Sequence, residues 1–439
     1  MSSAGPPRAT EPPWLRIFLA VALALYGALF CIFLALTYEQ RPTLDALDWA
    51  LIYLQQKSAD GWAAFFWHPH NVHRIVLARL LVAIDVEVFR GSGLPFLISG
   101  AVAHIATVGV LLRECARAAL SREARAIAML AVVLLFGGAH LAILIAVPTL
   151  SVFLHTVLFV VLAVTCLNGA QESRHPRLVF ALALLCAALA PLGLSGGLLV
   201  WPVLVWLAWR TRYALRLILL VAVLGAAEWV VYFDGIVGER VGADMTAGLL
   251  GLDYIIRLLG LPWSRAPNLL WMGRIVGAAV LVLGALLLLR TTWQSEPTRL
   301  QRTGAAMILF TFAVAAAAAL VRGGVDPEHG VPIRYAIFAA MAQLGIVFVS
   351  AEQIAEILRR STRPLAVATA LAIFALFLAL QIGTGRAAFA VTQRGAAAWR
   401  QLEAGEWTPS MTTAINPSRE RAELALRLFK QNGLYGFRP

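Results

Sequence analysis

"WLRIFLAVALALYGALFCIFLAL", Trp14 to Leu36, carries one charge, Arg16, in a run long enough to cross a hydrocarbon core about 30 Å thick. Runs of the same kind recur along the 439 residues, near 92–112, 126–145, 149–168, 178–193, 197–210, 216–233, 269–290, 304–321, 334–351 and 365–382. With the first they make eleven segments. Hydrophobic residues make up 60% of the chain and charged residues 14%, and the mean hydropathy is +0.78. A soluble domain carries nearer a quarter charged residues. The expected fold class is therefore an all-α polytopic membrane protein of about 11 transmembrane helices. The fifth and sixth segments are short and joined by "LGLSGG", which reads as two tilted half-length helices or a re-entrant hairpin.

The formal charge of +12 does not indicate a nucleic-acid partner. With the N-terminus in the cytoplasm, the inner connections are "RECARAALSREAR", "QESRHPR", "RTRYALR", "RTTWQSEPTRLQR" and "EQIAEILRRSTR". All are short and arginine-rich, as the positive-inside rule requires. Residues 1–13 then form a disordered cytoplasmic lead, residues 14–382 the membrane bundle, and 37–91, 234–268, 322–333 and 383–439 lie outside. Within 37–91, residues 71–90 read as an interfacial helix lying flat with its apolar face in lipid. Arg74 and Asp85 fall about 20° apart on its helical wheel, and Arg79 about 140° from Arg74. A weaker second example spans 246–261. The tail 383–439 reads as an outer helical cap, with Asn416 as N-cap, Pro417 in the first turn, Gly433 as the stop and Ala422, Leu426 and Phe429 on one face. Cys31, Cys115, Cys166 and Cys186 show no CxxC spacing and read as inert apolar residues.

Chemistry is expected outside. "FFWHPHNVHRIVLARLL", residues 65–81, gathers three histidines and two arginines at the mouth of an apolar stretch. His70 and His73, three apart on a helix, read as metal ligands with His68, as an interfacial belt with Trp67, or as the wall of a pocket for a lipid phosphate. Upstream, "TLDALDWALIYL" supplies Asp45 and Asp48, and a carboxylate there suits a general base for an incoming hydroxyl. Arg257, Arg322 and Arg334 recur at outer helix ends, where guanidinium forks suit non-bridging phosphate oxygens. His104, His140, His155 and Glu228 fall inside spans and read as a proton relay or as groups bonded within the bundle.

The order of these features resembles the bacterial branch of the GT-C superfamily, glycosyltransferases that use polyprenyl-phosphate sugars. The resemblance rests on "LDWALI", "HPHNVHRIVLARLL", "LSGGLLVWPVL" (194–204) and "RGGVDPEHGVPIRYAIF" (322–338). It implies an inverting transferase of the bacterial inner membrane, with a polyprenyl-phosphate-linked donor, a glycan or lipid acceptor and membrane lipids as its partners. No cofactor is implied, though a divalent cation serves some such enzymes. Asp48 would be the base. His70, Asn71, Arg74, Arg79, Arg257, Arg322, Arg334 and Tyr335 would line the substrate pocket, with Arg74 and Arg334 on the lipid phosphate. Two positions depart from the pattern: Leu47 replaces the first acid of the pair, and Val72 stands where a Glu is expected. Asp45 or His73 would then be the substitute base. A carrier for a lipid-linked glycan, or a non-catalytic scaffold of transferase ancestry, are the alternatives.

Overall fold

The computed structural model describes residues 13–56, 65–70, 73–136, 148–236, 248–263, 270–322, 331–361 and 363–438. The elements among them are helical. Near the N-terminus α1 (Pro13–Thr37) is followed by the short α2 (Asp45–Gln56) and α3 (Val76–Glu87). Next come α4 (Leu94–Arg117), α5 (Arg122–Phe136), α6 (Pro148–Gly169), α7 (Pro176–Leu189), α8 (Val200–Arg210) and α9 (Leu215–Phe233). The chain continues through α10 (Gly248–Leu259), α11 (Leu270–Trp293), α12 (Arg299–Arg322), α13 (Ala336–Arg360) and α14 (Arg363–Glu403). It ends with α15 (Met411–Ala414) and α16 (Arg419–Asn432).

Among the described residues, eight helices are long and apolar enough to cross a membrane, and Pro176–Leu192 and Ser195–Arg210 are shorter apolar helices. The chain is thus a multi-pass membrane protein. The expected segment 126–145 begins as α5, and its remainder, with His140, lies outside the described residues, as do residues 1–12, Asn71 and Val72. Exposed aliphatic side chains such as Val230 at 71% and Leu215 at 69% coat the outside of the spans, where lipid replaces water as the apolar medium.

Close helix crossings depend on glycine. Where α12 meets α13, a Cβ at Gly304 would lie 2.6 Å from the Gly345 carbonyl oxygen, and one at Gly345 would lie 2.5 Å from that of Gly304. Small residues let membrane helices approach in this way. Gly345→Val is therefore expected to push α12 and α13 apart and cost about 1–3 kcal/mol or more. The check is a lowered midpoint of thermal unfolding in detergent; an unchanged midpoint would show that the crossing has room. At "LGLSGG" the chain folds back through a 3-10 turn, Ser195–Leu199, and a Cβ at Gly197 would strike the backbone of Ala190 and Pro191.

Several expectations are corrected. Residues 73–75 precede α3 and are not helical, so the wheel that paired Arg74 with Asp85 does not apply. Much of α3 is covered by protein, with Ala78, Arg79, Leu81, Val82, Ala83, Asp85 and Val86 buried, while Leu80 stays exposed, as do Val88 and Phe89 just after the helix. It packs between α2 and α4, and its charges are stable there because each finds partners. The 383–439 cap has no break at 383. Instead α14 runs unbroken for 41 residues, about 62 Å at 1.5 Å per residue, so it spans the membrane and continues well beyond it. Ser418, not Asn416, is the N-cap of the last helix, accepting from the Arg421 N–H, whereas Gly433 ends that helix with φ of 60°, as expected.

The cap packs around an aromatic cluster of its own and is fastened to the first connection by hydrogen bonds to backbone carbonyls. Trp399, Phe429, Tyr435 and Phe437 cluster, with Phe429 and Tyr435 ring centroids 4.6 Å apart and Trp399 and Phe437 5.3 Å apart. The Trp399 indole donates to the Pro42 carbonyl at 3.1 Å, and the Tyr435 N–H donates to the Arg90 carbonyl at 3.0 Å.

Asp85 sits under this seam, 2% exposed, accepting from the Gly93 N–H at 2.8 Å. Burial pushes its carboxyl up to about 6, against the lowering effect of the Gly93 and Ser92 hydrogen bonds. The folded protein therefore holds this proton more tightly than the unfolded chain does. Stability falls as pH rises from about 4 to about 6 and stays lower above, by about 3 kcal/mol at most. Asp85→Asn keeps an acceptor for Gly93 without a charge to desolvate. It is expected to raise the unfolding midpoint at pH 7.5, with the gain vanishing near pH 4. A lower midpoint at pH 7.5 would mean that the ionised form is the one the fold uses.

Candidate functional site

The acidic pair opens α2. Asp45 and Asp48 both lie in its first turn, where a helix N-terminus favours negative charge. Asp45 is exposed and Asp48 half-buried, its side chain 18% exposed. Leu47, between them, is fully buried in the core, so this register cannot present the first acid of the expected pair to solvent.

The partners of Asp48 come from the C-terminal cap. Its Oδ1 accepts from the Asn416 side-chain amide at 3.1 Å and lies 3.3 Å from Nε of Arg421. Burial raises the Asp48 pKa, opposed by Arg421 and Asn416, while Asp45 raises it further and His70 lowers it. The His70 ring meets Trp49 edge-on, with centroids 6.0 Å apart. Burial lowers its pKa against the pull of Asp45, with Arg79 lowering and Asp48 raising it, which favours the uncharged imidazole. Asp45, Asp48, His70, Asn416 and Arg421 thus form one polar cluster between α2 and the cap. Beside it opens a cavity of about 500 Å³, lined by Glu39, Thr43, Leu44, Arg394, Gln401 and Thr413 among others. Asp48 does not line this cavity, but Leu44 does, and the Asp48 N–H donates to the Leu44 carbonyl at 3.2 Å.

The histidine segment divides. His70 and His73 exchange both backbone hydrogen bonds, at 2.7 and 3.0 Å, in an isolated bridge, which overturns the helical spacing assumed for a metal site. Their side chains part: His70 joins the acids, whereas Nδ1 of His73 lies 2.6 Å from the Ser195 hydroxyl in the "LGLSGG" turn. Among the described residues no three His, Cys, Asp or Glu are placed to hold a metal ion.

Most of the expected phosphate-binding arginines are already engaged. Arg74 is 3% exposed; Nε donates to the Tyr232 carbonyl at 2.6 Å, and its terminal nitrogens donate to the carbonyls of Trp67 and Asp234. It closes the C-terminal end of α9, whose last carbonyls lack intrahelical donors. Arg79 donates to the Phe65 carbonyl and lies over that ring, 5.3 Å from its centroid; burial, aided by Arg74, lowers its pKa to about 10. Arg257 pairs with Asp253 at 2.9 Å. Arg322 ends α12, and its side chain lies outside the described residues. Arg334 occupies a 3-10 turn before α13 and makes no hydrogen bond or ion pair with another described residue; the neighbouring Tyr335 packs on Phe153 with centroids 6.0 Å apart. No hydrogen bond, ion pair or electrostatic interaction among the described residues joins Asp48 to Arg74 or Arg334.

Asn416 and Arg421 were the residues that the sequence reading missed. Asp48 is more than 360 positions away from both in the chain, and no local pattern signals the pairing. Of the intramembrane groups, His155 bonds the Ser151 carbonyl one turn back at 2.9 Å, and Glu228 accepts from the Trp201 indole. All four cysteines are free, and two, Cys115 and Cys186, are buried.

Comparison with protein families, curated proteins and solved structures found no match to this chain, so its function rests on the geometry above.

Proposed function

We propose that this protein is a GT-C-like membrane transferase of about eleven spans. It moves a sugar or related group from a polyprenyl-phosphate-linked donor to a glycan or lipid acceptor on the periplasmic face of a bacterial inner membrane. The observation that carries the reading is Asp48: a half-buried carboxylate of raised pKa, beside an imidazole and a guanidinium, one helical turn from a residue that lines a cavity of about 500 Å³. In the proposed step Asp48 takes the proton of the acceptor hydroxyl as that oxygen bonds to the anomeric carbon. The carbon–oxygen bond to the phosphate breaks, and polyprenyl phosphate leaves with the bonding pair. Arg421 is the guanidinium at the base; Arg334 remains the candidate for the departing phosphate.

A second reading is favoured by the contacts of Asp48 themselves. The Asn416 and Arg421 bonds clasp the cap to α2, as a non-catalytic scaffold would use them. Purified protein in nanodiscs, given a synthetic polyprenyl-phosphate sugar and a hydroxyl acceptor, separates the two. Transfer by the wild type that is lost in Asp48→Asn supports the enzyme. No transfer by the wild type, with Asp48→Asn affecting only thermal stability, supports the scaffold.

A further inference from the structure

The arginine-rich connections meet in a cleft that the proposed reaction does not use. It measures about 450 Å³ and lies where the C-terminal end of α8, the 294–298 connection and the first turn of α12 come together. Arg210, Arg212, Arg299 and Arg302 line it, with Glu172 and Glu296 as the carboxylates in its wall.

Only one of the four guanidiniums is neutralised by described carboxylates. Arg299 grips Glu114 with two nitrogens at 2.6 and 2.8 Å and reaches Glu172 at 3.1 Å. The others bond neutral oxygens: Arg210 to the Gln294 carbonyl at 2.5 Å, Arg212 to that of Ser295 at 3.4 Å, and Arg302 to Asn168 Oδ1 at 2.7 Å and the Pro297 carbonyl at 3.0 Å. The Arg210 Nε is buried without an acceptor among the described residues. Glu172 already serves Arg299, and Glu296 is exposed. The wall therefore carries excess positive charge on planar forks, the geometry that phosphate oxygens accept. Helix N–H groups are not what the cleft offers, because Thr298 and Gln301 cap α12 reciprocally at 2.9 and 3.2 Å.

Its depth is marked by tryptophan. Trp209 and Trp293, 50% and 80% exposed, end α8 and α11 next to the cleft, and exposed tryptophans at span ends collect at the headgroup level. A basic hollow between spans at that level suits a phosphorylated headgroup.

We propose that this cleft binds one phosphate-bearing anion, with Arg210, Arg212 and Arg302 as its ligands. The phosphate is either that of an anionic lipid headgroup or that of a free phosphorylated compound. The test uses the purified full chain in a neutral detergent, titrated separately with cardiolipin, phosphatidylcholine and inorganic pyrophosphate, with native mass spectrometry and thermal unfolding as readouts. Expected is a single tight cardiolipin or pyrophosphate adduct that phosphatidylcholine does not form. Arg210→Gln/Arg302→Gln should weaken it by about tenfold or more, the loss expected of charge-assisted contacts. Arg174→Gln/Arg177→Gln removes the same charge from exposed positions just before and in the first turn of α7 and should leave it unchanged. If the first pair fails to fold, Arg212→Glu carries the test, because that exposed side chain makes only the 3.4 Å contact. Cardiolipin alone binding identifies a headgroup site, and stabilisation by pyrophosphate identifies a free phosphate. Equal weakening by both double variants, or no preference over phosphatidylcholine, overturns the proposal.

Discussion

Replacing Asp48 with Asn is expected to lower group transfer by about 10²–10⁴-fold, the contribution of a positioned general base. Asparagine has nearly the same shape and keeps an oxygen for the Asn416 amide and Arg421, so the cap should stay docked. What is lost is the basic lone pair. The wild-type rate should also fall as pH drops through the Asp48 pKa, which burial raises from its ordinary value. In Asp48→Asn that acid limb should vanish from the residual activity. Transfer that persists at wild-type rate would remove Asp48 from the mechanism and leave Asp45, exposed on the same turn, as the remaining acid of the pair.

Arg74→Ala is expected to cost stability rather than substrate affinity. Three guanidinium nitrogens donate to three backbone carbonyls, and the plane lies over Trp67, 4.6 Å from its centroid. The Tyr232 carbonyl is buried, and leaving it without its donor costs about 1–3 kcal/mol, while the part-buried carbonyls of Trp67 and Asp234 can turn to water and add less. Arg74→Lys should recover only part of this, since one ammonium cannot serve three acceptors in a fork. The measurement is the unfolding midpoint of the three proteins together with the KM for the lipid donor. A raised KM with an unchanged midpoint would return Arg74 to the role of phosphate ligand that its resemblance implied.

The fate of the two buried arginines, Arg74 and Arg79, explains how far the site could be read. That Arg74 and Arg79 mattered was legible, because charged groups beside apolar helices must be satisfied. What they satisfy was not. Tyr232 and Asp234 lie some 160 positions from Arg74, and nothing local distinguishes a guanidinium that meets carbonyls from one that awaits a phosphate. The His70–His73 spacing misled for a related reason: three residues apart is one helical turn only if the backbone is helical, and here it is a bridge. At Leu47 the structure accounts for a departure that the sequence could only note, since that face of α2 points into the core.

By itself, the sequence determined the apolar helices, the membrane class and the stop at Gly433, because hydrophobic length and terminal residues act within a few turns of chain. Tertiary structure alone decided which acid meets which base. Asp48 acquires Asn416 and Arg421, and its raised pKa, only when the tail folds back over the first connection. The reason is physical: charge and desolvation act through space, and the distances that set them are fixed by packing, not by separation along the chain.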